Sequence, residues 1–215
     1  MKNESFLFFK TPESFYKFLD SLDIYNNWKI TKGTMNSRGE SIRNKGYTKF
    51  LRERFNNKKM FRRSVSISEI VSWLDSFVIM RRFFKKLHSS ITVEEFNNIE
   101  LYCEYMIKMS KKMRIDFILK YKNTILLIEF RMVNNFTKIK STWDKKKVEL
   151  LVYKELLENY IPTETRILTF AFISLFEYDG RNIEDIQLNY NNNQVDFLVK
   201  YFTEFVVKKY KNNEK

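Results

Sequence analysis

The sequence predicts a mixed α/β (α+β) fold in which a helix leads into a three-stranded antiparallel meander, then a second helix, then a fourth strand, with extra helices at both ends. Three observations carry this expectation. Apolar residues recur at helical spacing before about residue 95; the period becomes that of strands around Ile99; and one amphipathic stretch separates the strand run from a near-continuous apolar segment.

Thr11, Pro12 and Glu13 supply a capping residue, a proline at the first helical position and an early acid, so a short helix is expected over about Pro12 to Ser21. Between Met35 and Phe55, Tyr47, Phe50, Leu51 and Phe55 recur with Arg and Lys between them, which fits a basic helix in the second half of that stretch. Ser66 or Ser68 is suited to cap a stronger helix carrying Ile70, Val71, Leu74, Phe77, Val78 and Arg81, which ends in the basic run RRFFKKLH.

Ile99 to Ile107, Met113 to Tyr121 and Thr124 to Val133 are aromatic or β-branched runs separated by Lys/Ser and Lys-Asn turns, the pattern of a meander. Lys145 to Tyr160 reads as an amphipathic helix ended near Ile161-Pro162, and Arg166 to Tyr178 as a buried strand. Asp179-Gly180 opens a polar loop taken to include Asn191, Asn192 and Asn193, followed by a final helix carrying Val195, Leu198, Phe202, Phe205 and Val206. The chain thus divides into a mostly helical region (1–95), a core (96–178) and a C-terminal loop and helix (179–215). With no repeat and no linker between them, one structural domain is expected.

At 215 residues the chain can bury a real core, and 44% hydrophobic residues exclude a disordered chain. No apolar run approaches membrane-spanning length, and MKNESFLFFKTPESF lacks the long apolar core of a secretory signal, so a cytoplasmic protein without a membrane is expected. Cys103 is the single cysteine and His88 the single histidine, which excludes an internal disulfide, a Cys/His zinc site and a triad needing both. Metal chemistry must then use oxygen ligands. A net charge of +13 favours nucleic acid as partner. The single alanine and the abundance of Lys, Asn, Ile and Phe fit an A/T-rich coding bias, which raises lysine without selecting for binding.

The chemistry is concentrated in one predicted hairpin. If Lys122-Asn123 is a two-residue turn, counting back along both strands places Asp116 opposite Glu129 and Arg114 opposite Arg131, all on one face. Opposed Cβ atoms lie about 4.5–5.5 Å apart, where like charges repel unless a cation lies between them. Mg²⁺ or Mn²⁺ suits two such carboxylates. Equally, the diagonal partners Arg114 with Glu129 and Arg131 with Asp116 can form a salt-bridge ladder that neutralises the acids without metal.

MRIDFILKYKNTILLIEFR, set in the order helix, three strands, helix, strand, resembles the PD-(D/E)XK nuclease superfamily, in particular its RecB-like branch. The resemblance covers about Ile99 to Tyr178 and implies a restriction-endonuclease-like core. Asp116 matches the first acid, Glu129 the second, and Arg131 falls where the family has lysine. Glu149 and Tyr153 have the spacing of the Gln-x-x-x-Tyr motif on the following helix. RGESIR (Arg38 to Arg43) faintly matches a first-helix signature, with Arg43 where a histidine often sits.

The resemblance implies a divalent-metal-dependent nuclease acting on nucleic acid, DNA before RNA, with Asp116 and Glu129 as metal ligands and Mg²⁺ or Mn²⁺ as cofactor. Arg131 can bind phosphate in bidentate fashion but does not deprotonate, so it cannot serve as a base. Lysines migrate within this superfamily, so Lys145 or Lys146 can present an ammonium from the helix. Lys145 is taken as the catalytic one, with Glu149 and Tyr153 beside it. Glu40, Glu100 and Glu104 are further possible ligands. Substrate contacts are expected from Arg114, from Lys138, Lys140, Trp143 and Lys146 in NFTKIKSTWDKKK, from FNNKKMFRR (Phe55 to Arg63), and from Arg81, Arg82 and Lys85 in RRFFKKLH. The alternative is a catalytically inactive nuclease fold that binds nucleic acid, a protein partner or a second copy of itself.

Overall fold

The computed structural model describes residues 1–24, 28, 35–58, 64–107, 113–133, 136–175 and 184–209. A five-stranded mixed sheet runs in the order β1-β2-β3-β4-β5, with β1 Ser5–Phe9, β2 Ile99–Met106, β3 Arg114–Tyr121, β4 Thr124–Val133 and β5 Arg166–Leu175. The first four strands pair antiparallel; β5 lies parallel to β4 and is reached through helix α6, Ile139–Glu158. A parallel pair requires such a crossover, whereas β3 and β4 need only a turn.

The expected turn at Lys122-Asn123 forms, with Tyr121 paired to Thr124 and Lys122 held at φ 52°. A positive φ at the first turn position gives the twist a right-handed hairpin needs, here without glycine. The order helix, three strands, helix, strand is observed, and β4 has the expected bounds.

The helices form two layers. On one side of the sheet α6 buries Leu150, Tyr153 and Leu157 against Ile118, Ile125, Leu127, Ile167 and Ala171. On the other lie α1 (Pro12–Ser21), the long α4 (Ile67–His88) and α7 (Glu184–Tyr201), whose apolar faces share one core with Phe117, Leu119, Ile128, Phe170 and Phe172. Helices α2 (Met35–Ile42), α3 (Gly46–Asn56) and α5 (Val93–Asn97) complete this layer. The starts are chemically specified. Thr11 caps α1 and Ser66 caps α4, each in a reciprocal capping box, with Glu69 closing the second. Arg38 of α2 and Asp75 of α4 form a buried ion pair, to which the Trp28 indole N–H adds a hydrogen bond of 2.9 Å.

Several sequence expectations are corrected. Ser5–Phe9, to which the sequence assigns no element, is a strand. The Met35–Phe55 stretch holds two helices instead of one, and α6 begins six residues before Lys145. Asn191, Asn192 and Asn193 lie inside α7, not in a loop. There the buried Asn191 accepts the Leu175 N–H at 3.1 Å and donates to the Leu175 carbonyl at 3.2 Å, while Gln194 does the same for Ile173. Side-chain amides of a helix thus occupy backbone groups of β5, which the loop reading had no reason to foresee. The Asp179-Gly180 loop, residues 59–63, Asn135 and Tyr178 lie outside the described residues. No described helix is long and apolar enough to cross a membrane.

Candidate active site

The β3–β4 ladder is regular from Tyr121–Thr124 as far as Phe117–Ile128 and then changes character. At the next step the Asp116 N–H donates to Glu129 Oε1 at 3.1 Å, and the Phe130 N–H donates to Asp116 Oδ2 at 2.8 Å. Carboxylates have replaced carbonyls in the ladder, so the two acids are locked beside each other where the strands part. Their separation in sequence follows directly from the turn register.

A cleft of about 380 Å³ opens at this point, bounded by Asp116, Phe130, Arg131 and Met132 of the sheet and by Lys146 of α6. Its opposite wall is Glu69, Ser72, Trp73 and Ser76 of α4, with Glu104 of β2 and Arg114 of β3. Glu129 is 2% exposed, and Lys146 Nζ lies 2.7 Å from its Oε2 and 2.7 Å from Glu149 Oε2. The Tyr153 hydroxyl donates to Glu149 Oε1 at 2.6 Å. Tyr153, Glu149, Lys146 and Glu129 therefore form one hydrogen-bonded chain from the α6–sheet core into the cleft.

Charge follows burial. Desolvation, then the neighbouring Asp116, push the Glu129 carboxyl well up, against the pull of Lys146. Asp116 is raised by burial, against the Phe130 N–H, Lys146 and Arg114. Burial pulls the Lys146 ammonium down, but Glu129 and Glu149 outweigh it and the net shift is upward, so Lys146 is cationic. Glu149 is the reverse of Glu129: burial raises it, and the Lys146 and Tyr153 hydrogen bonds carry it below its ordinary value. Glu104 is pushed up to about 8 by burial, against Arg114, with Asp116 adding to the rise. It also sits at φ 53°, a conformation an L side chain adopts only under constraint.

Asp116, Glu129, Glu149, Tyr153 and Arg131 come together as expected, with Arg131 exposed at the rim of the cleft. Lys145 does not join them. It is exposed, and the ammonium in the site belongs to Lys146, which had been assigned to substrate contacts. The salt-bridge ladder is absent. Arg114 turns instead to Glu69 at 2.8 Å and Glu104 at 2.5 Å, with the Phe55 ring 5.8 Å from its guanidinium carbon, and Arg131 makes no ion pair with a described residue.

The remaining expected contacts divide by position. Lys138, Lys140 and Trp143 are exposed on the 3₁₀ turn and first turns of α6, with Lys147 5.3 Å over the Trp143 ring. Arg81, Arg82 and Lys85 lie roughly 8–14 Å beyond Ser76 along the α4 axis. Arg81 there pairs with Asp20 at 2.7 Å. Glu40 is an exposed partner of Arg43, which removes RGESIR from the site. Glu100 accepts from Tyr102 at 2.6 Å, outside the cleft.

Helical spacing alone makes two contributions legible, the choice of Lys146 over Lys145 and the polar face of α4. Lys146, Glu149 and Tyr153 stand at i, i+3 and i+7, one helical face, which Lys145 does not share. Glu69, Ser72 and Ser76 repeat the same spacing as a polar stripe along the first half of α4.

The fold and the cleft together define a mixed α/β protein with a buried acid pair and an ion-paired lysine at a parting of strands. Compared with family models, with curated proteins and with solved structures, the chain matches none. Among the described residues no group of three or more His, Cys, Asp or Glu side chains is arranged to hold a metal ion. The donor set available is two carboxylates, the number Mg²⁺ commonly takes from protein before completing its shell with water and substrate phosphate. In chemistry and count, Asp116 and Glu129 fit such an ion.

Proposed function

We propose that this protein is a divalent-metal-dependent nuclease that hydrolyses phosphodiester bonds, DNA before RNA, in the cleft between β3, β4, α4 and α6. The observation that carries the reading is the ammonium of Lys146 beside the Asp116–Glu129 pair. The resemblance to the PD-(D/E)XK superfamily asks for two acids and a lysine, and Lys146 supplies from the helix the ammonium that is missing at the Arg131 position.

The chain's own groups divide the work. Asp116 and Glu129 are the ligands for Mg²⁺ or Mn²⁺, which when bound lowers the pKa of water and offsets charge developing on the phosphate. Lys146 is cationic, so it keeps its proton at Nζ and serves to orient water and stabilise the anionic transition state. Glu149, held by Tyr153, positions Lys146. Arg131 at the rim offers a bidentate grip on a neighbouring phosphate, a role its exposure permits. Incubation with single- and double-stranded DNA in Mg²⁺ or Mn²⁺ tests this directly: cleavage that survives Asp116→Ala and Glu129→Ala sinks the assignment.

A second reading keeps the fold without the chemistry, and one observation favours it. Lys146 already neutralises Glu129, and two backbone N–H groups already occupy an oxygen of each acid, so the ammonium can replace a metal outright. Calorimetry with Mn²⁺ separates the two, because only the nuclease reading requires uptake that depends on both acids.

A further inference from the structure

A second surface lies outside the cleft. After α7 the chain continues as a π-helical segment, Phe202–Lys208, which keeps Phe202, Val206 and Val207 in the core. π-helical turns are rare and are found disproportionately at functional sites. On the outer side Phe197 is 61% and Phe205 46% exposed, with the half-buried Tyr201 between them in the chain. Ring centroids run Phe197–Phe170 5.8 Å, Phe170–Tyr201 5.6 Å and Tyr201–Phe205 4.9 Å, one continuous aromatic row.

The groove along this row, about 600 Å³, is lined also by Lys200, Lys208, Lys209 and Glu204. Lys208 pairs with Glu204 at 2.6 Å, which cancels the one acid, while Lys200 and Lys209 are exposed and make no ion pair with a described residue. The groove is therefore cationic along its length and aromatic on its floor. It shares no lining residue with the cleft, and Phe170 belongs to the α4–α7 side of the sheet.

An aliphatic partner has no use for the two free ammoniums, and duplex DNA keeps its base faces stacked inside. A strand with unpaired bases matches both features, since its phosphates meet lysines while its bases lie on rings. We propose that this groove binds unpaired nucleic acid, with bases stacked on Phe197 and Phe205 and phosphates at Lys200 and Lys209. The inference deepens the nuclease reading by naming the form of substrate, yet the binding itself needs neither metal nor cleavage.

Fluorescence anisotropy in EDTA tests it, using labelled oligo-dT, oligo-U and a hairpin duplex of equal length. The wild-type protein is expected to bind the unpaired strands more tightly than the duplex, and the dT and U arms distinguish DNA from RNA. Phe197→Ala and Phe205→Ala are each expected to weaken strand binding about tenfold, with Phe197→Tyr restoring it. Lys200→Gln with Lys209→Gln should lower the slope of log affinity against log salt by about 1.4. Two results overturn the proposal: folded Phe197→Ala and Phe205→Ala proteins that bind like wild type, or a duplex bound as tightly as the strands. Asp116→Ala with Glu129→Ala should bind the strand normally while cleaving nothing. Loss of binding in that variant would place the strand in the cleft and overturn the groove. Failure of the nuclease reading shows separately, as strand binding without cleavage by the wild-type protein.

Discussion

The Lys146 ammonium reaches from α6 to the buried Glu129 carboxylate at 2.7 Å, joining a helix to a strand through one charged hydrogen bond. Replacing it tests site and fold at once. Lys146→Gln is expected to lower phosphodiester cleavage by about 100- to 1,000-fold, the range for removing one preorganised donor to developing charge. Lys146→Met, which leaves Glu129 buried without its counter-charge, should cost about 3 kcal/mol in urea denaturation. Lys145→Gln, on the exposed side of the same turn, should change neither measurement.

Metal binding should depend on pH in a definite sense. Burial raises both Asp116 and Glu129, so each holds its proton to higher pH than a free carboxyl. A cation must displace those protons. Mn²⁺ affinity is therefore expected to strengthen as pH rises above the ordinary carboxyl range, and calorimetry in buffers of different ionisation enthalpy should reveal proton release. Affinity independent of pH would show that the acids are already ionised.

Glu104, raised in the same direction, gives a stability prediction of opposite pH dependence. Its carboxyl goes from an ordinary value of 4.5 to about 8 in the folded chain, so between those values the native state binds more protons than the unfolded one. Stability from this group is present in full at and below the lower value and is lost as pH rises toward the upper one. Thermal melts should show Tm falling across that window, and Glu104→Gln should flatten the dependence.

The Arg38–Asp75 pair provides a test away from the cleft. Both side chains are almost wholly buried, and Asp75 also accepts from Trp28. Arg38→Met should destabilise the protein by about 3–5 kcal/mol in a denaturant titration, with cleavage per folded molecule unchanged. A loss of activity without a loss of stability would instead assign Arg38 to the chemistry.

What the sequence revealed follows the range of the forces involved. The hairpin register was readable because a two-residue turn and alternating side chains are local, and they fix Asp116 beside Glu129 without reference to the rest of the chain. The caps at Thr11 and Ser66 were readable for the same reason. Strand β1 was not, because Ser5–Phe9 gains its hydrogen bonds only from β2, more than ninety residues away. Arg114 was misjudged because its choice between Glu129 and the Glu69–Glu104 pair is decided by where α4 packs. Lys146 was misjudged for a lesser reason, since helical spacing alone separates it from Lys145.

The asparagine-rich middle of α7 has a consequence for how this protein behaves among copies of itself. β5 is one of the two edge strands of the sheet, and an unoccupied edge strand is a template on which another chain can lengthen a sheet. Asn191 and Gln194 meet Leu175 and Ile173 with paired donors and acceptors, as a neighbouring strand would. The sheet ends there against an imitation of its own next member, so a run that looks like compositional noise guards this stretch of the edge from polymerisation.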